Sequence, residues 1–379
     1  MRYLDNAATT PVRTEVLEAM MPFLTRWFGN PSSHHTVGEA AASALDDARS
    51  RVAAVLGMRR GDVVFTSGGT EANNLALKGI AIAAQANRGA GRVVTTPIEH
   101  ESILQSADYL RRIHRFEVDV LPVDATGLVD AADLAAAIGD DTALVSIGYA
   151  NNEIGAIQDA AALAAATRAR GVPLHLDAVQ AAGWLPLRDL GADALTIAGH
   201  KLGAPKGTGV LAVRGRIPLE PLMHGGGQER GRRSGTEDVA GAVAIATALE
   251  LAEAEREESA ARVGAFRDAF VARVLATVPR AALTGHPARR LPGTASFVFP
   301  GTSGEAILLE LERRGVVSSS GSACAAGSDD PSHVLTALGL GADVARTAVR
   351  FTFPHDLNAP LDDVADALAA SVAAVGSAP

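Results

Sequence analysis

Two segments decide the fold of this chain: residues 172–177 read Val-Pro-Leu-His-Leu-Asp, and residues 194–201 read Ala-Leu-Thr-Ile-Ala-Gly-His-Lys. Each begins with a short apolar run, which indicates a buried strand. The first segment ends at Asp177, and the apolar run of the second is followed directly by His200 and Lys201. This arrangement places a carboxylate at the end of one strand and a lysine just after the next.

An aspartate and a lysine in these positions suit pyridoxal phosphate. The carboxylate would keep the pyridine nitrogen protonated, so that the ring can accept electrons from a substrate carbanion. The lysine would form an imine with the aldehyde and later move protons. The spacing alone is weak support, because a solvated lysine on a loop is the ordinary interpretation of such a residue.

Outward from these segments, alanine-rich helical patterns alternate with short β-branched runs. This alternation predicts an α/β fold with a mostly parallel sheet covered by helices on both faces. A long helical pattern at 237–274 precedes strand-like runs at 295–299 and 349–352, which indicates a smaller α+β unit. The other predicted strands are 62–66, 92–95, 116–121, 143–147 and 210–213, and the other predicted helices are 43–56, 71–86 and 133–138.

The composition is that of a well-packed globular protein: 379 residues, 47% hydrophobic and 20% charged. The length suggests two domains or one large one. A formal charge of −9 argues against a general nucleic-acid or membrane-surface binder.

Cys324 is the single cysteine, so we expect neither an internal disulfide nor a cysteine-based metal site. Residues 1–6 show no signal pattern and the uncharged run 239–249 is too short for a bilayer, so we predict a cytoplasmic protein.

Three polar segments follow predicted strands. Residues 66–71, Thr-Ser-Gly-Gly-Thr-Glu, begin a predicted helix, and their glycines and free N–H groups suit a phosphate. An ordinary strand-to-helix turn with Thr70 as the cap has the same sequence pattern. They lack the dinucleotide and P-loop fingerprints. His100 could stack on a flat cofactor or relay a proton, or it could simply cap a helix. The amides of Asn151 and Asn152 could bind a ligand or form a turn.

Several segments resemble those of the cysteine desulfurases that serve iron–sulfur cluster assembly and nitrogen fixation, which are class-V aminotransferases. They follow the family order over nearly the whole chain. The resemblance implies a pyridoxal-phosphate enzyme of fold type I, with a seven-stranded sheet in its large domain. The matching segments are residues 3–11, 29–33, 66–74, 151–158, 175–180, 199–201, 225–231, 233–237, 320–324 and 331–335.

The resemblance implies a role for each matching residue around the cofactor. Lys201 resembles the lysine that binds pyridoxal phosphate covalently, and Asp177 resembles the partner of its ring nitrogen. Gln180 is similar to the donor to the ring oxygen. His100 is similar to the histidine that stacks on the ring and acts as an acid or base. The implied phosphate ligands are Gly69, Thr70, His200 and, from the other subunit, Thr236.

The resemblance also implies the substrate and the partners. Asn151 and Arg350 resemble the groups that hold the substrate carboxylate, and a structural salt bridge is the alternative for Arg350. Cys324 resembles the cysteine that receives sulfur, and its small, flexible flanking residues predict a mobile, exposed loop. The implied enzyme is a homodimer that converts L-cysteine to L-alanine and delivers the sulfur to an acceptor protein. The alternative is a selenocysteine lyase or another β-lyase.

We expect a large domain at 12–256 and a small domain built from 1–11 and 257–379. Two departures from the family pattern stand out. Ala198 replaces a serine that helps to hold the phosphate, which removes a donor worth about 1 kcal/mol. Residues 351–356, Phe-Thr-Phe-Pro-His-Asp, replace a polar, glycine-bearing continuation, and we expect them to alter the substrate mouth or a partner surface.

Overall fold

A computed structural model of the chain describes residues 1–320 and 330–376. The strands are β1 Arg2–Tyr3, β2 Val63–Thr66, β3 Arg92–Thr95, β4 Glu117–Val120, β5 Thr142–Gly148, β6 Leu174–Asp177, β7 Ala194–Ala198, β8 Gly209–Val213, β9 Ala282–Leu283, β10 Thr294–Val298, β11 Val316–Val317 and β12 Val349–Thr352. The helices are α1 Thr14–Thr25, α2 Thr36–Leu56, α3 Gly69–Asn74, α4 Ile80–Arg88, α5 Glu101–His114, α6 Ala131–Ala137, α7 Ala160–Ala169, α8 Val239–Thr277, α9 Gly304–Arg313, α10 His333–Ala337, α11 Ala342–Ala345 and α12 Asp362–Gly376. A π-helical segment, Leu75–Gly79, joins α3 to α4.

The main sheet has seven strands in the order β2-β8-β7-β6-β5-β3-β4. Strands β7, β6, β5, β3 and β4 run parallel, whereas β8 is antiparallel to both of its neighbours. Strands β6, β7 and β8 are buried along their whole length, as expected for central strands covered on both faces. The predicted α/β class with a mostly parallel seven-stranded sheet is confirmed.

A smaller unit contains the antiparallel sheet β12-β10-β9 and the parallel pair β1-β11. Its core joins Leu4 to residues between 263 and 372, and Phe270 packs edge-on against Phe297 and Phe351. The predicted boundary at 256 falls inside α8, so this single helix contributes to both the large and the small core. The division into two domains remains a proposal.

The N-terminal segment connects the two units and passes beside the ends of the central strands. Ala7 N donates to Thr352 Oγ1 at 2.8 Å, and Thr10 N donates to the carbonyl of His200 at 3.0 Å. These contacts bring the backbone of residues 5–10 to the turn that follows β7. Among the described helices, none combines the length and apolar character needed to cross a membrane.

Candidate active site

A cavity of about 440 Å³ opens at the carboxyl ends of the parallel strands. This edge is where open α/β sheets bind their ligands. The cavity is lined by residues that follow five strands of the main sheet, together with residues of the N-terminal segment and of the smaller unit. Of the sequence-predicted site residues, those lining it are Gly69, Thr70, His100, Asn151, Asp177, Gln180, His200, Lys201 and Arg350.

Asp177 is the last residue of β6, and both of its carboxylate oxygens accept a hydrogen bond. Val179 N donates to Oδ1 at 2.9 Å, and Asn73 Nδ2 donates to Oδ2 at 2.7 Å. Two donors fix the plane of the carboxylate. A carboxylate fixed in this way in the cavity lining suits a protonated ring nitrogen.

Lys201 ends a short 3-10 turn, Gly199–Lys201, directly after β7. A Cβ at Gly199 would lie 2.9 Å from the Cβ of Ala204 and closer still to Thr208, so only glycine fits at the start of this turn. Lys201 Nζ donates to the carbonyl oxygens of Ala7 and, at 2.6 Å, Ala8. The turn therefore aims the amine into the cavity beside the N-terminal segment.

His200 is held by the same N-terminal segment, because its Nδ1 lies 3.2 Å from Thr9 Oγ1. Burial, and then the positive charges of Lys201 and Lys206, lower the pKa of His200 to about 4. The imidazole is therefore neutral near pH 7.

The turn between β2 and α3 contains Gly68, Gly69 and Thr70. A Cβ at Gly69 would lie 2.9 Å from Val179 Cγ2 and 3.3 Å from Ala198 Cβ, so the glycine lets the backbone pass close to two neighbouring strand ends. The helix that begins at Gly69 continues through the π segment to Arg88, and its free N–H groups suit a phosphate. Ala198 is buried here without a hydroxyl, so the turn lacks that donor.

His100 occupies the N-cap of α5 and also lines the cavity. Its Nδ1 accepts a hydrogen bond from Ser102 N at 3.0 Å and lies 2.8 Å from Ser102 Oγ. The helix cap that the sequence offered as one interpretation is present, and the residue lines the cavity as well. The cap fixes the orientation of the ring, and Nε2 is the ring nitrogen that the cap does not engage.

The side chains of Gln180 and Asn151 are already engaged. Gln180 Nε2 donates to the carbonyl of Ala7 at 3.1 Å. Asn151 Oδ1 accepts from Glu153 N at 2.8 Å and from Ile154 N at 3.0 Å. Asn151 thus forms the turn that the sequence suggested and lines the cavity as well.

Arg350 in β12 brings the smaller unit to the cavity, although it is only 1% exposed. Its Nη2 donates to Asp5 Oδ1 at 2.7 Å, and its Nη1 donates to the carbonyl of Asn152 at 3.0 Å. The salt bridge that the sequence offered as an alternative is present. The guanidinium is therefore anchored to both units of the chain while it lines the cavity.

Glu99 is a site residue that sequence reasoning missed. Its Oε1 accepts from Thr96 Oγ1 at 2.6 Å, and its Oε2 accepts from Gly148 N at 2.7 Å. Burial, together with the negative charge of Asp177, raises the pKa of Glu99 to about 8, so the carboxyl is largely protonated at pH 7. The adjacent His100 was recognised because of its chemistry, whereas the burial of Glu99 has no signal in the sequence.

His333 also lines the cavity without having been assigned a role. Its Nε2 donates to the carbonyl of Glu99 at 3.0 Å, and its Nδ1 lies 3.8 Å from Glu101 Oε1. Because a carbonyl only accepts, the hydrogen of a neutral His333 is on Nε2. The signal that could have found this residue is the matching segment 331–335, in which it lies.

None of residues 351–356 lines this cavity, although Thr352, Phe353 and His355 line a smaller one beside Lys201. Phe351 and Phe353 are buried in the core of the smaller unit. His355 stacks on Trp184 with 3.8 Å between ring centroids, and burial lowers its pKa to about 4. This segment therefore joins the smaller unit to the larger one.

Two predicted residues lie outside the cavity lining or outside the described residues. Thr236 is exposed and does not line the cavity of its own chain. This placement is the one expected of a residue that contributes to the site of the other subunit. Cys324 lies outside residues 1–320 and 330–376.

The residues that line the cavity fit pyridoxal phosphate. Asp177 offers a hydrogen-bonded carboxylate for the ring nitrogen, Lys201 a primary amine for the aldehyde, and Gly69 a cradle that a Cβ would fill. A carboxylate, an amine and a glycine-led helix start together form the donor set that this cofactor requires.

The chain is similar to known proteins over nearly its whole length. The profile of the family described as "Aminotransferase class-V" matches residues 2–359. The chain is 42% identical over 367 residues to the cysteine desulfurase IscS of Dictyoglomus turgidum, covering 95% of this chain and 92% of that protein. It is 44% identical over 393 residues to the IscS-like cysteine desulfurase of Mycobacterium tuberculosis, covering 100% of each.

Solved structures show the same relationship. A NifS-like protein has a TM-score of 0.90 and 34% identity, covering 99% of each chain. A structure described as SspA in complex with cysteine has a TM-score of 0.82 and 34% identity, covering 93% of this chain and 99% of that one. The chain therefore belongs to the class-V aminotransferase family, within its cysteine desulfurase group.

Proposed function

We propose that this cysteine desulfurase binds pyridoxal phosphate at Lys201, converts L-cysteine to L-alanine and transfers the sulfur to Cys324. The observation that carries the proposal is the convergence of Asp177, His100, Lys201 and Arg350 on one cavity. The desulfurase relatives support the choice of substrate.

Each side chain is assigned a task from its place in the cavity and from the resemblance to the family. Bound pyridoxal phosphate supplies an electron sink for the negative charge that develops at the substrate α-carbon. Asp177 keeps the ring nitrogen protonated, and Lys201 Nζ takes and returns the substrate proton. His100 exchanges protons at Nε2, because its Nδ1 is occupied by the helix cap. Gln180 donates to the ring oxygen, whereas Gly69, Thr70 and His200 bind the phosphate.

The substrate carboxylate binds at the cavity face of Arg350, whose planar guanidinium matches a carboxylate. The pairing of Arg350 with Asp5 holds that cation in place before the substrate arrives. Asn151 supplies a second polar contact from the opposite unit. These two residues orient cysteine so that its α-proton faces Lys201.

Sulfur transfer needs no external oxidant. The thiolate of Cys324 attacks the substrate sulfur, an S–S bond forms, and the C–S bond of the substrate breaks. The electron pair of the broken bond stays with the substrate carbon, which is protonated and leaves as alanine. L-Cysteine and the Cys324 thiol thus give L-alanine and a persulfide on Cys324.

The decisive experiment replaces Cys324 with serine, because a hydroxyl oxygen is a poor nucleophile towards sulfur. We expect Cys324→Ser to bind cofactor and cysteine but to form almost no alanine. Mass spectrometry of the wild type after cysteine addition should find one additional sulfur on the peptide that contains Cys324. Normal alanine production by Cys324→Ser would instead indicate a lyase that expels sulfide or selenide directly.

The homodimer, with Thr236 as a phosphate ligand of the other subunit, is part of the proposal. So is an acceptor protein that takes the sulfur from Cys324. The cytoplasmic location stays a prediction from the sequence.

A further inference from the structure

One buried amide lies between two residues that we assign to the cofactor. Asn73 in α3 is 1% exposed, and its Nδ2 donates to Asp177 Oδ2 at 2.7 Å and to Ser102 Oγ at 2.9 Å. Ser102 Oγ in turn lies 2.8 Å from His100 Nδ1. A single side chain is therefore linked to Asp177 directly and to His100 through one hydroxyl group.

The chemistry of the groups fixes the direction of these hydrogen bonds. An ionised carboxylate can only accept, so the nitrogen of Asn73 rather than its oxygen must face Asp177. Ser102 Oγ accepts from the second hydrogen of the same nitrogen, which leaves its own hydrogen for His100 Nδ1. Since Nδ1 also accepts from Ser102 N at 3.0 Å, a neutral His100 has its hydrogen on Nε2.

This arrangement leaves the amide oxygen of Asn73 without a hydrogen bond among the described residues. Asn73 Oδ1 is buried and has no hydrogen-bond partner within residues 1–320 and 330–376. A buried acceptor without a partner destabilises the folded state. Stability alone therefore does not favour an amide at this position, whereas the placement of both amide hydrogens on Asp177 and Ser102 does.

We propose that Asn73 is a positioning residue of the desulfurase site and that Ser102 extends its action to His100. Asn73 holds the carboxylate of Asp177 in the plane required by the ring nitrogen. Through Ser102 it also keeps Nδ1 of His100 free of hydrogen, so that Nε2 is the atom that exchanges protons in the cavity. The inference rests on the proposed function, because it concerns the same cofactor site.

The test compares two substitutions of Asn73 in the full-length protein. Asn73→Ala removes the donor, whereas Asn73→Asp keeps the shape but sets a second carboxyl group against Asp177. Asp177 also interacts electrostatically with Glu99 and with His175. Both of these residues are unchanged in the two variants. Cofactor-free protein is titrated with pyridoxal phosphate at about pH 8 and about pH 6, and each affinity is compared with that of the wild type at the same pH.

At the higher pH we expect both variants to bind roughly tenfold more weakly than the wild type, because Asp177 loses a charge-assisted hydrogen bond. At the lower pH Asn73→Asp should recover affinity, since a proton shared by the two carboxyl groups restores a donor to Asp177. Asn73→Ala should not recover. Wild-type affinity in Asn73→Ala, or the same pH response in both variants, would overturn the positioning role.

Ser102 is tested through His100. Ser102→Ala should bind cofactor nearly as well as the wild type but form alanine from cysteine more slowly, and Ser102→Thr should restore the rate because it keeps the hydroxyl. Ser106→Ala is the matched control, since Ser106 is 2% exposed one turn further along α5. An equal loss of rate in Ser106→Ala would show a general packing effect and overturn the role of Ser102.

Unfolding of the cofactor-free protein separates this inference from the proposed function. Asn73→Asp should be less stable at about pH 8 than at about pH 6, relative to the wild type, because the two carboxylates repel each other. A wild-type protein that binds no pyridoxal phosphate would overturn the proposed function. The unfolding comparison would still decide whether residue 73 interacts with the carboxyl group of Asp177. If the stability difference between Asn73→Asp and the wild type did not change with pH, that interaction would be rejected.

Discussion

At the scale of single residues, the site depends on groups whose protonation is set by burial. Glu99 is buried between Thr96 and Gly148, close enough to Asp177 for the two negative charges to repel. With a folded-state pKa of about 8, Glu99 is largely neutral at pH 7. Its carboxyl group therefore adds little negative charge to the cavity lining beside Asp177.

Glu99→Gln should therefore change the pH dependence of stability while keeping the fold. In the folded wild type the proton stays on Glu99 up to a pKa of about 8, whereas the pKa of a solvated glutamate is 4.5. Stability therefore falls as the pH rises from about 4.5 to about 8. The amide cannot ionise, so this loss should be absent. Urea unfolding of the cofactor-free protein across that range measures it, with Glu101→Gln as the partly exposed control. Parallel curves for wild type and Glu99→Gln would refute the assignment.

At the scale of helices and strands, the parts of the fold with an apolar run were predictable. Strand β7 falls on the predicted residues, and β6 is displaced by only two residues at its start, because central strands are apolar on both faces. Helix α5 was not predicted although Ile103, Ala107 and Leu110 are buried at helical spacing. That periodicity is present in the sequence and is typical of an amphipathic helix.

The partners of the site residues were not predictable from the sequence. Lys201 and Asp177 stand in recognisable segments, so their place in the site followed from residue type and order. Asn73 contacts Ser102 and Asp177, which lie 29 and 104 residues further along the chain. Such contacts depend on how α3, α5 and β6 pack together, and no local pattern encodes that packing.

The loop between β8 and α8 is anchored by a buried ion pair. Glu229 accepts from Arg49 through both oxygens, at 2.6 and 2.7 Å, and also from Phe65 N at 3.2 Å. Glu229 and Arg230 have φ values of 50° and 59°, in the left-handed region, which costs free energy for residues other than glycine. The anchor therefore holds a strained turn in the loop that carries Thr236.

Glu229→Gln should lower the free energy of unfolding by about 3 kcal/mol, because it leaves the charge of Arg49 buried without a counter-ion. The double variant Arg49→Met, Glu229→Gln should lose less, since no unpaired charge remains. Denaturant unfolding measures both. The control is Asp46→Asn, which breaks the exposed pair with Arg60 and should cost less than about 1 kcal/mol. A loss in Glu229→Gln no greater than in this control would show that the pair does not anchor the loop.

At the scale of the whole molecule, the single chain leaves apolar surface uncovered. Leu17, Met21 and Leu24 are exposed at helical spacing along one face of α1, and Phe28, just beyond the helix, is 71% exposed. Clusters of exposed apolar side chains mark interaction surfaces on folded proteins. A second copy of the chain is the partner that the proposed function already requires, so we expect this face to be buried in the homodimer.

The proposed homodimer also assigns a place of action to Thr236. In the single chain Thr236 is exposed and does not line the cavity, so we expect it to complete the phosphate site of its partner. Mixed dimers with two affinity tags test this, pairing a Thr236→Ala subunit that keeps Lys201 with a Lys201→Ala subunit that keeps Thr236. The intact lysine site then receives threonine only from the other subunit. It should retain cofactor better than the Thr236→Ala homodimer does, by the several-fold expected for one hydrogen bond.

A third dimer provides the control, with Thr236→Ala in both subunits and Lys201→Ala in one. It has the same single lysine site, but neither subunit supplies a threonine, so cofactor retention should fall to the level of the Thr236→Ala homodimer. The rate of cofactor loss during dialysis, followed by absorbance, distinguishes the three dimers. If the first mixed dimer loses cofactor as fast as this control, Thr236 does not act across the interface, and the phosphate must be held by residues of one chain alone.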